Sequence, residues 1–248
     1  MADAKRLEGK AALVMGGSRG IGAAIVRRLA REGAAVAFTY SASPGRAEQV
    51  VREVAEAGGT ALAIHADSAD ADAVRAAVDR AARTLGGLHI LVNNAGILMR
   101  ATVDAFSLDD FDRMVAVNVR GTFVAAQAAA AWMGEGGRII TIGSNTALRV
   151  SVPGASVYAM TKSAVAGLVR GLAVDLAPRG ITVNNVQPGP TDTEMNGGPG
   201  VAELVGPMIP LGRMGTSDEV AGLVAYLASP EAAFVTGASL TIDGGFST

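Results

Sequence analysis

The sequence contains no cysteine. That excludes disulfides, thiolate zinc sites and cysteine nucleophiles, and it fits a reducing compartment. No apolar run approaches the ~18 residues needed to span a bilayer. The Ala-rich stretch 123–133 is too short and is interrupted by Gln127, which suits a buried or interface helix. Charge of one sign is also missing. With 21 Lys and Arg against 23 Asp and Glu, the formal net charge of −2 leaves no basic footprint for nucleic acid. The first ten residues are charged and show no apolar signal region. The two histidines, His65 and His89, fall in strand patterns away from acidic clusters, so neither is assigned a metal or catalytic role. Together these absences predict a soluble, cytoplasmic protein without a metal, a nucleic-acid partner or a membrane.

Glycine and apolar alternation are what the chain does have. Its 248 residues include 32 glycines and are half apolar, which suits one large α/β domain with many tight turns. Short apolar runs at 11–15, 35–40, 61–65, 88–92, 138–142, 180–186 and 238–242 read as strands. Segments of helical period lie between them, and no repeat, linker or domain boundary interrupts the series. This β-α-β order predicts a doubly wound parallel sheet with helices on both faces and ligands at the strand C-terminal ends.

Those ends carry the polar residues. The first run leads into Gly16-Gly17-Ser18-Arg19-Gly20-Ile21-Gly22 and then a helix, the context of a dinucleotide-binding turn. Gly16 permits the tight turn, Gly20 lets the backbone approach a pyrophosphate, and Gly22 lets the helix pack close. The helix N-terminus then offers free N–H groups to phosphate. At the end of the second strand an acid would bind a ribose 2′-hydroxyl, but Tyr40, Ser41 and Ser43 stand there. Hydroxyls with Arg19 nearby suit a 2′-phosphate, so NADP(H) is favoured over NAD(H). Asp67 at the third strand end is a candidate for the adenine edge and equally for a helix cap, with Ser68 or Asp70 as other caps. Asn93-Asn94-Ala95-Gly96 ends the fourth strand, where small residues admit a cofactor and amides can bridge strands. Ser107 reads as a helix start, and Asn118 sits inside that helix, where Asn is a poor fit without a specific hydrogen-bonding task. Ser144 ends the fifth strand.

Tyr158 and Lys162 lie four apart on the first turns of an amphipathic helix, hence one above the other. A cation beside a phenol favours the phenolate and brings the group towards useful acid/base strength. The stretch 194–215, rich in Gly, Pro and Met, reads as a flexible loop over the crevice.

The set Gly16 to Gly22, Asp67, Asn93-Asn94-Ala95-Gly96, Asn118, Ser144, Tyr158 with Lys162, Pro188-Gly189 with Thr193, and Asp243-Gly244-Gly245 resembles the short-chain dehydrogenase/reductase family in its single-domain form. The resemblance covers nearly the whole chain. It implies a Rossmann-like fold with a seven-stranded sheet and hydride transfer between NAD(P) and a carbonyl or alcohol. By position, Tyr158 would be the general acid and Lys162 would lower its pKa while binding the nicotinamide ribose. Ser144 would hold the substrate oxygen and Asn118 a water of the proton relay. Residues 188–193, with Pro188, Gly189, Thr191 and Thr193, would fix the carboxamide. Ser18, Arg19, Ile21, Tyr40, Ser41, Asp67, Ser68, Asn94, Ala95 and Gly96 complete the cofactor set.

Two departures stand out. Met15 replaces the Thr usual before the first turn glycine, and the 14-residue step from Ser144 to Tyr158 is about one longer than is common. Ser151 could compete with Ser144, and Asn145 could add a contact. Enoyl reduction is disfavoured, because such relatives space Tyr and Lys more widely. The alternative is a nucleotide-sensing or structural protein of the same fold. The expected pocket segments, 97–99, 148–153 and 195–208, are mostly apolar with Arg149 and Glu194 as charges. They suit a neutral or lipophilic ketone or aldehyde, or a 3-oxoacyl group, and the resemblance implies a homotetramer.

Overall fold

A computed structural model describes residues 5–196 and 200–248. The first four residues of the charged start, and residues 197–199 of the expected substrate loop, lie outside the described residues.

The seven strands are β1 (Ala11–Met15), β2 (Ala35–Tyr40), β3 (Thr60–His65), β4 (Ile90–Asn93), β5 (Arg138–Ile142), β6 (Thr182–Pro188) and β7 (Ser239–Ile242). They form one parallel sheet in the order β3-β2-β1-β4-β5-β6-β7. The expected seven-stranded, doubly wound architecture is therefore present. The order reverses between β1 and β4, where Met15 pairs with Asn93, and a crevice opens beyond those two strand ends.

Period-two alternation sends each strand's side chains into two cores. Ala12 and Val14 of β1 join a cluster with Phe38, with Ile25 and Leu29 of α1 (Gly20–Arg31), with Val50 and Val54 of α2 (Pro44–Glu56), and with Val224 and Leu227 of α8 (Ser217–Ala228). Leu13 and Met15 face the other way. They meet Val74 and Val78 of α3 (Ala71–Leu85), Val124 and Ala125 of α5 (Gly121–Trp132), and Val169 of α6 (Ser156–Leu176). The Ala-rich stretch is thus a half-buried packing helix. Among the described residues no helix is long and apolar enough to cross a membrane.

Several boundaries differ from the sequence reading. The α2 helix, expected over 48–57, begins at Pro44, because proline's fixed φ suits the first helical position and its missing N–H costs nothing there. β4 and β6 each start two residues later than expected. Gly180 adopts φ 67° in the turn that closes the preceding helix, so the chain reaches the sheet only at Thr182. Ser107 caps α4 (Leu108–Val115) by accepting from the Asp110 N–H at 3.1 Å. The helix then widens into a π-turn at Ala116–Arg120 before continuing as α5. The segment expected to lack regular structure holds α7 (Val201–Val205) and a 3-10 turn at Gly206–Met208.

Candidate active site

The glycine turn is held from three sides. Gly16 has φ 75°, and a Cβ there would press to 3.0 Å from the Ala95 Cα. A Cβ on Gly22 would meet the Gly16 carbonyl oxygen at 2.1 Å, so only glycine allows α1 to start this close to β1. Asn94 Nδ2 donates to the Gly16 carbonyl at 2.7 Å and to that of Met15 at 3.3 Å, bridging strands as its position suggested. The hydroxyl missing at residue 15 is supplied from the neighbouring strand. Thr39 Oγ1 accepts from the Gly16 N–H at 2.9 Å and lies 4.0 Å from Met15 Sδ. The sequence pattern gave no sign of this, since Thr39 reads there as one more strand residue.

At the start of α1, Arg19 makes no side-chain cap and no acid stands in the first turn, so the leading N–H groups and the dipole end face the cleft. A Cβ on Gly20 would point towards Thr193 Cγ2 at 3.6 Å across that cleft. The exposed N–H groups of this donor-rich turn suit a pyrophosphate.

One cleft of about 920 Å³ runs along the strand ends. The turn residues Gly16, Ser18, Arg19, Gly20, Ile21 and Gly22 line it, as do Tyr40, Ser41, Asp67 and Ser68 at its outer end. Asn94, Ala95 and Gly96 form its floor. Ser144, Tyr158 and Lys162 line it as well, as do Pro188, Gly189, Thr191 and Thr193. Asp67 does not cap α3. Asp70 does, accepting from the Asp72 and Ala73 N–H groups at 2.9 and 3.1 Å. The Asp67 carboxylate takes the Ala69 N–H at 2.9 Å and pairs with Arg113 at 3.0 Å, and together these hold it ionised below the usual range. His65 bridges to the Ser41 carbonyl at 3.0 Å and meets the Tyr40 ring edge-on, so it steadies the outer end of the cleft. His89 accepts the Ala11 N–H at 3.0 Å, which is a structural task.

At the inner end, Lys162 is buried and its Nζ donates to the Ile142 carbonyl at 2.8 Å. Burial without a carboxylate partner brings its pKa down to about 8, so it stays largely protonated at neutral pH. Its Nζ lies 5.7 Å from the centroid of the Tyr158 ring. The phenol pKa moves opposite to expectation. Burial pushes it above its ordinary value, and the Ser144 hydrogen bond and the charge of Arg100 only oppose that shift. The cation four residues on is spent on a backbone carbonyl, so desolvation dominates. Tyr158 is therefore a protonated phenol at neutral pH, a donor before it is a base.

Ser144 is buried, accepts the Thr146 N–H at 3.1 Å and bonds the Thr146 hydroxyl at 2.9 Å. It is close enough to Tyr158 to oppose the rise of the phenol pKa, which distinguishes it from Ser151 on an exposed loop. Asn145 turns away towards Asp243 and Ser247, at 3.3 and 3.2 Å.

Asn118 does not line the cleft. In the π-turn its side chain accepts from the Ile97 N–H at 2.9 Å and donates to the Ile97 carbonyl and Thr161 hydroxyl at 3.0 and 3.1 Å. Both amide protons are thus committed, and the residue ties the β4 loop to α6. What remains for a ligand is its main-chain carbonyl, which also accepts the Thr122 hydroxyl at 2.8 Å.

Beyond Ser144 and Tyr158 the cleft is lined by Ile97, Leu98, Val152, Met195, Leu204 and Met208, much as the sequence suggested. The charges differ. Arg149 donates to the Phe246 carbonyl at 2.9 Å and stacks over its ring at 5.8 Å, so it fastens the chain end and leaves Phe246 as pocket wall. Arg100 lines the cleft instead, with no carboxylate within salt-bridge distance among the described residues. Neither Arg100 nor Phe246 was predicted, because neither lies on a motif.

A family model described as enoyl-(acyl carrier protein) reductase matches residues 16–247. Among solved structures, a short-chain dehydrogenase/reductase from Serratia marcescens is 60% identical, with 98% of this chain and 100% of that one covered and a TM-score of 0.95. A short chain dehydrogenase from Burkholderia cenocepacia, solved in complex with NADP, is 53% identical with the same coverage and a TM-score of 0.95. Among curated proteins, the cyclic-di-GMP-binding biofilm dispersal mediator protein of Escherichia coli is 48% identical over 96% of this chain and 97% of its own length.

Proposed function

Since the chain belongs to the short-chain dehydrogenase/reductase family, we propose that it is an NADP(H)-dependent oxidoreductase that reversibly reduces a neutral or lipophilic ketone or aldehyde, or a 3-oxoacyl group, to a secondary alcohol. The observation that carries this reading is the Ser144, Tyr158 and Lys162 group on the wall of a cleft that continues to the glycine turn. A Burkholderia relative holds NADP, and the hydroxyls and arginine at the outer end suit a 2′-phosphate. The apolar lining suits a lipophilic substrate. The family model's description names enoyl reduction. Tyr158 and Lys162 stand four apart, and on that spacing we keep carbonyl reduction as the reading.

The bound reduced nicotinamide supplies a hydride to the carbonyl carbon. Tyr158, protonated at neutral pH, gives its phenol proton to the carbonyl oxygen as that oxygen gains charge. Ser144 turns its single hydroxyl proton from the Thr146 hydroxyl to the same oxygen, while its own oxygen keeps the Thr146 N–H. Lys162 holds a positive charge below the tyrosine, which stabilises the phenolate left after transfer. The Asn118 carbonyl can hold a water that returns the proton. Oxidation runs the same steps backwards, with Tyr158 as base. Thr193 orients the carboxamide, and Met195, Leu204 and Met208 wall the substrate end of the cleft. The small residues of α5 and the flank of α6, where Phe123 and Met160 are exposed, suit packing into a homotetramer in the cytoplasm.

Mixing the protein with NADPH or NADH and a panel of ketones, aldehydes and an acetoacetyl thioester tests this by loss of reduced-nicotinamide absorbance. NADPH-dependent turnover that falls about 100- to 10,000-fold in Tyr158→Phe is expected. A second reading draws on the Escherichia coli relative, whose name makes it a cyclic-di-GMP binder. Tight NADPH binding without turnover on any panel member would favour such a nucleotide-sensing role.

A further inference from the structure

Two guanidinium groups from different elements converge on one carboxylate at the outer end of the cleft. Arg19 stands at the N-cap of α1 and Arg46 in the first turn of α2. Glu194 comes from the loop after β6, on the opposite side of the cleft. Arg46 Nη1 is hydrogen-bonded to Glu194 Oε1, and Arg19 Nη1 lies 3.7 Å from Glu194 Oε2. The hydroxyl-bearing residues Tyr40, Ser41 and Ser43 line the cleft beside this cluster, and β2 ends without an acid of its own. Two cations and hydroxyl-bearing neighbours make an anion site, since Asp67 at the same end is already paired with Arg113, and the anion in it is brought from across the cleft.

We propose that Glu194 is a resident stand-in for the cofactor's 2′-phosphate, and that Arg46 is a second guanidinium of the 2′-phosphate site. The inference rests on the NADP(H) reading and goes beyond it. A phosphate monoester carries about −1.5 to −2 charges and three acceptor oxygens at neutral pH, against one charge on a carboxylate. It therefore displaces Glu194 from both arginines. NADH has no group to compete, so the strap from loop to turn stays closed. The cofactor that opens the strap also frees the loop bearing Thr193 and Met195, which are cleft residues. Cofactor selection and loop release are then one event. The sequence offered Glu194 only as a pocket charge and Arg46 not at all.

Calorimetric titration of the intact protein with NADPH and with NADH tests this, with thermal melts as folding controls. Arg46→Gln is expected to raise the NADPH Kd about tenfold, the scale of a charge-assisted hydrogen bond, and to leave NADH unchanged. Glu194→Gln is expected to lower the NADPH Kd about threefold, the scale of an exposed ion pair, with NADH again unchanged. In an Arg46→Gln background the Glu194→Gln gain should shrink, because the two residues act through one contact. An unchanged NADPH Kd in Arg46→Gln overturns the proposal. So does a Glu194→Gln variant that binds NADPH more weakly, or that shifts both cofactors alike. Equal wild-type Kd values for NADPH and NADH would instead overturn the NADP(H) reading, and the proposal with it.

Discussion

At one end of the cleft Lys162 is only 5% exposed and gives its ammonium to a backbone carbonyl at 2.8 Å. At the other, the Arg19 side chain is 60% exposed and faces a carboxylate at 3.7 Å. The inner end is fixed by burial and by main-chain bonds, so its groups have shifted pKa values and one geometry. The outer end is solvated and tied by side-chain ion pairs, which salt screens and a ligand can exchange. Chemistry needs the first kind of site. Discrimination between two cofactors that differ by one phosphate needs the second.

The sharpest way to break this comparison is Lys162→Met. Turnover should fall at least about 100-fold, because the charge facing the phenolate is gone. Stability should move the other way. Lowering a lysine from 10.5 to about 8 by burial costs folding on the order of 3 kcal/mol at neutral pH. Losing the bond to the Ile142 carbonyl returns about 1–2 kcal/mol of that. A net gain of roughly 1–2 kcal/mol is therefore expected in denaturant titration. Its pH dependence carries a sign. Between about 8 and 10.5 the unfolded chain binds more protons than the folded one, so wild-type stability rises relative to the variant across that window and is level below it. A variant less stable than wild type at pH 7 would show that the ammonium is not desolvated.

Thr39→Val probes the region between the two ends. Removing the hydroxyl leaves the Gly16 N–H without its acceptor, so the turn should loosen for both cofactors alike, by about three- to tenfold in Kd. Equal loss for NADPH and NADH separates this positioning residue from Arg46, whose loss is selective. Adding Met15→Thr should restore binding, since a hydroxyl just before the first glycine is what the family usually has. No rescue, or a loss confined to NADPH, would refute the assignment.

The same contrast explains what could be read from the chain. β1, β2 and β5 have the expected bounds because an apolar run meeting a glycine or polar end leaves little choice. β4 and β6 start later, since pairing with neighbouring strands decides where a ladder begins. Ser144, Tyr158 and Lys162 were legible because their spacing is local to one strand end and one helix face. Thr39 and the Glu194 strap were not, since each joins residues distant in sequence and leaves no period. The direction of the Tyr158 shift was misread for a related reason. Helical spacing shows that a cation is near, whereas burial and the ammonium's actual partner are properties of the folded site. Asn118 was rightly marked as out of place in a helix, but its task is a bridge between elements.

Arg100 sits between the two kinds of electrostatics, since it is exposed yet acts on the buried phenol. Its charge favours the phenolate, so Arg100→Gln should raise the Tyr158 pKa further. Reduction requires the protonated phenol, and the rate falls once the pH exceeds that pKa. The alkaline limb of the pH profile for reduction should therefore move to higher pH in the variant, while the rate at neutral pH stays near that of wild type on a neutral ketone. The shift is the smallest effect expected here, because solvent lies on one side of the guanidinium. It should fade at about 1 M salt, where the screening length falls to ~3 Å. A shift that survives such salt would mean that Arg100 acts by contact, as a hydrogen-bond donor at the reacting oxygen. A limb that does not move would mean that its charge does not reach the phenol.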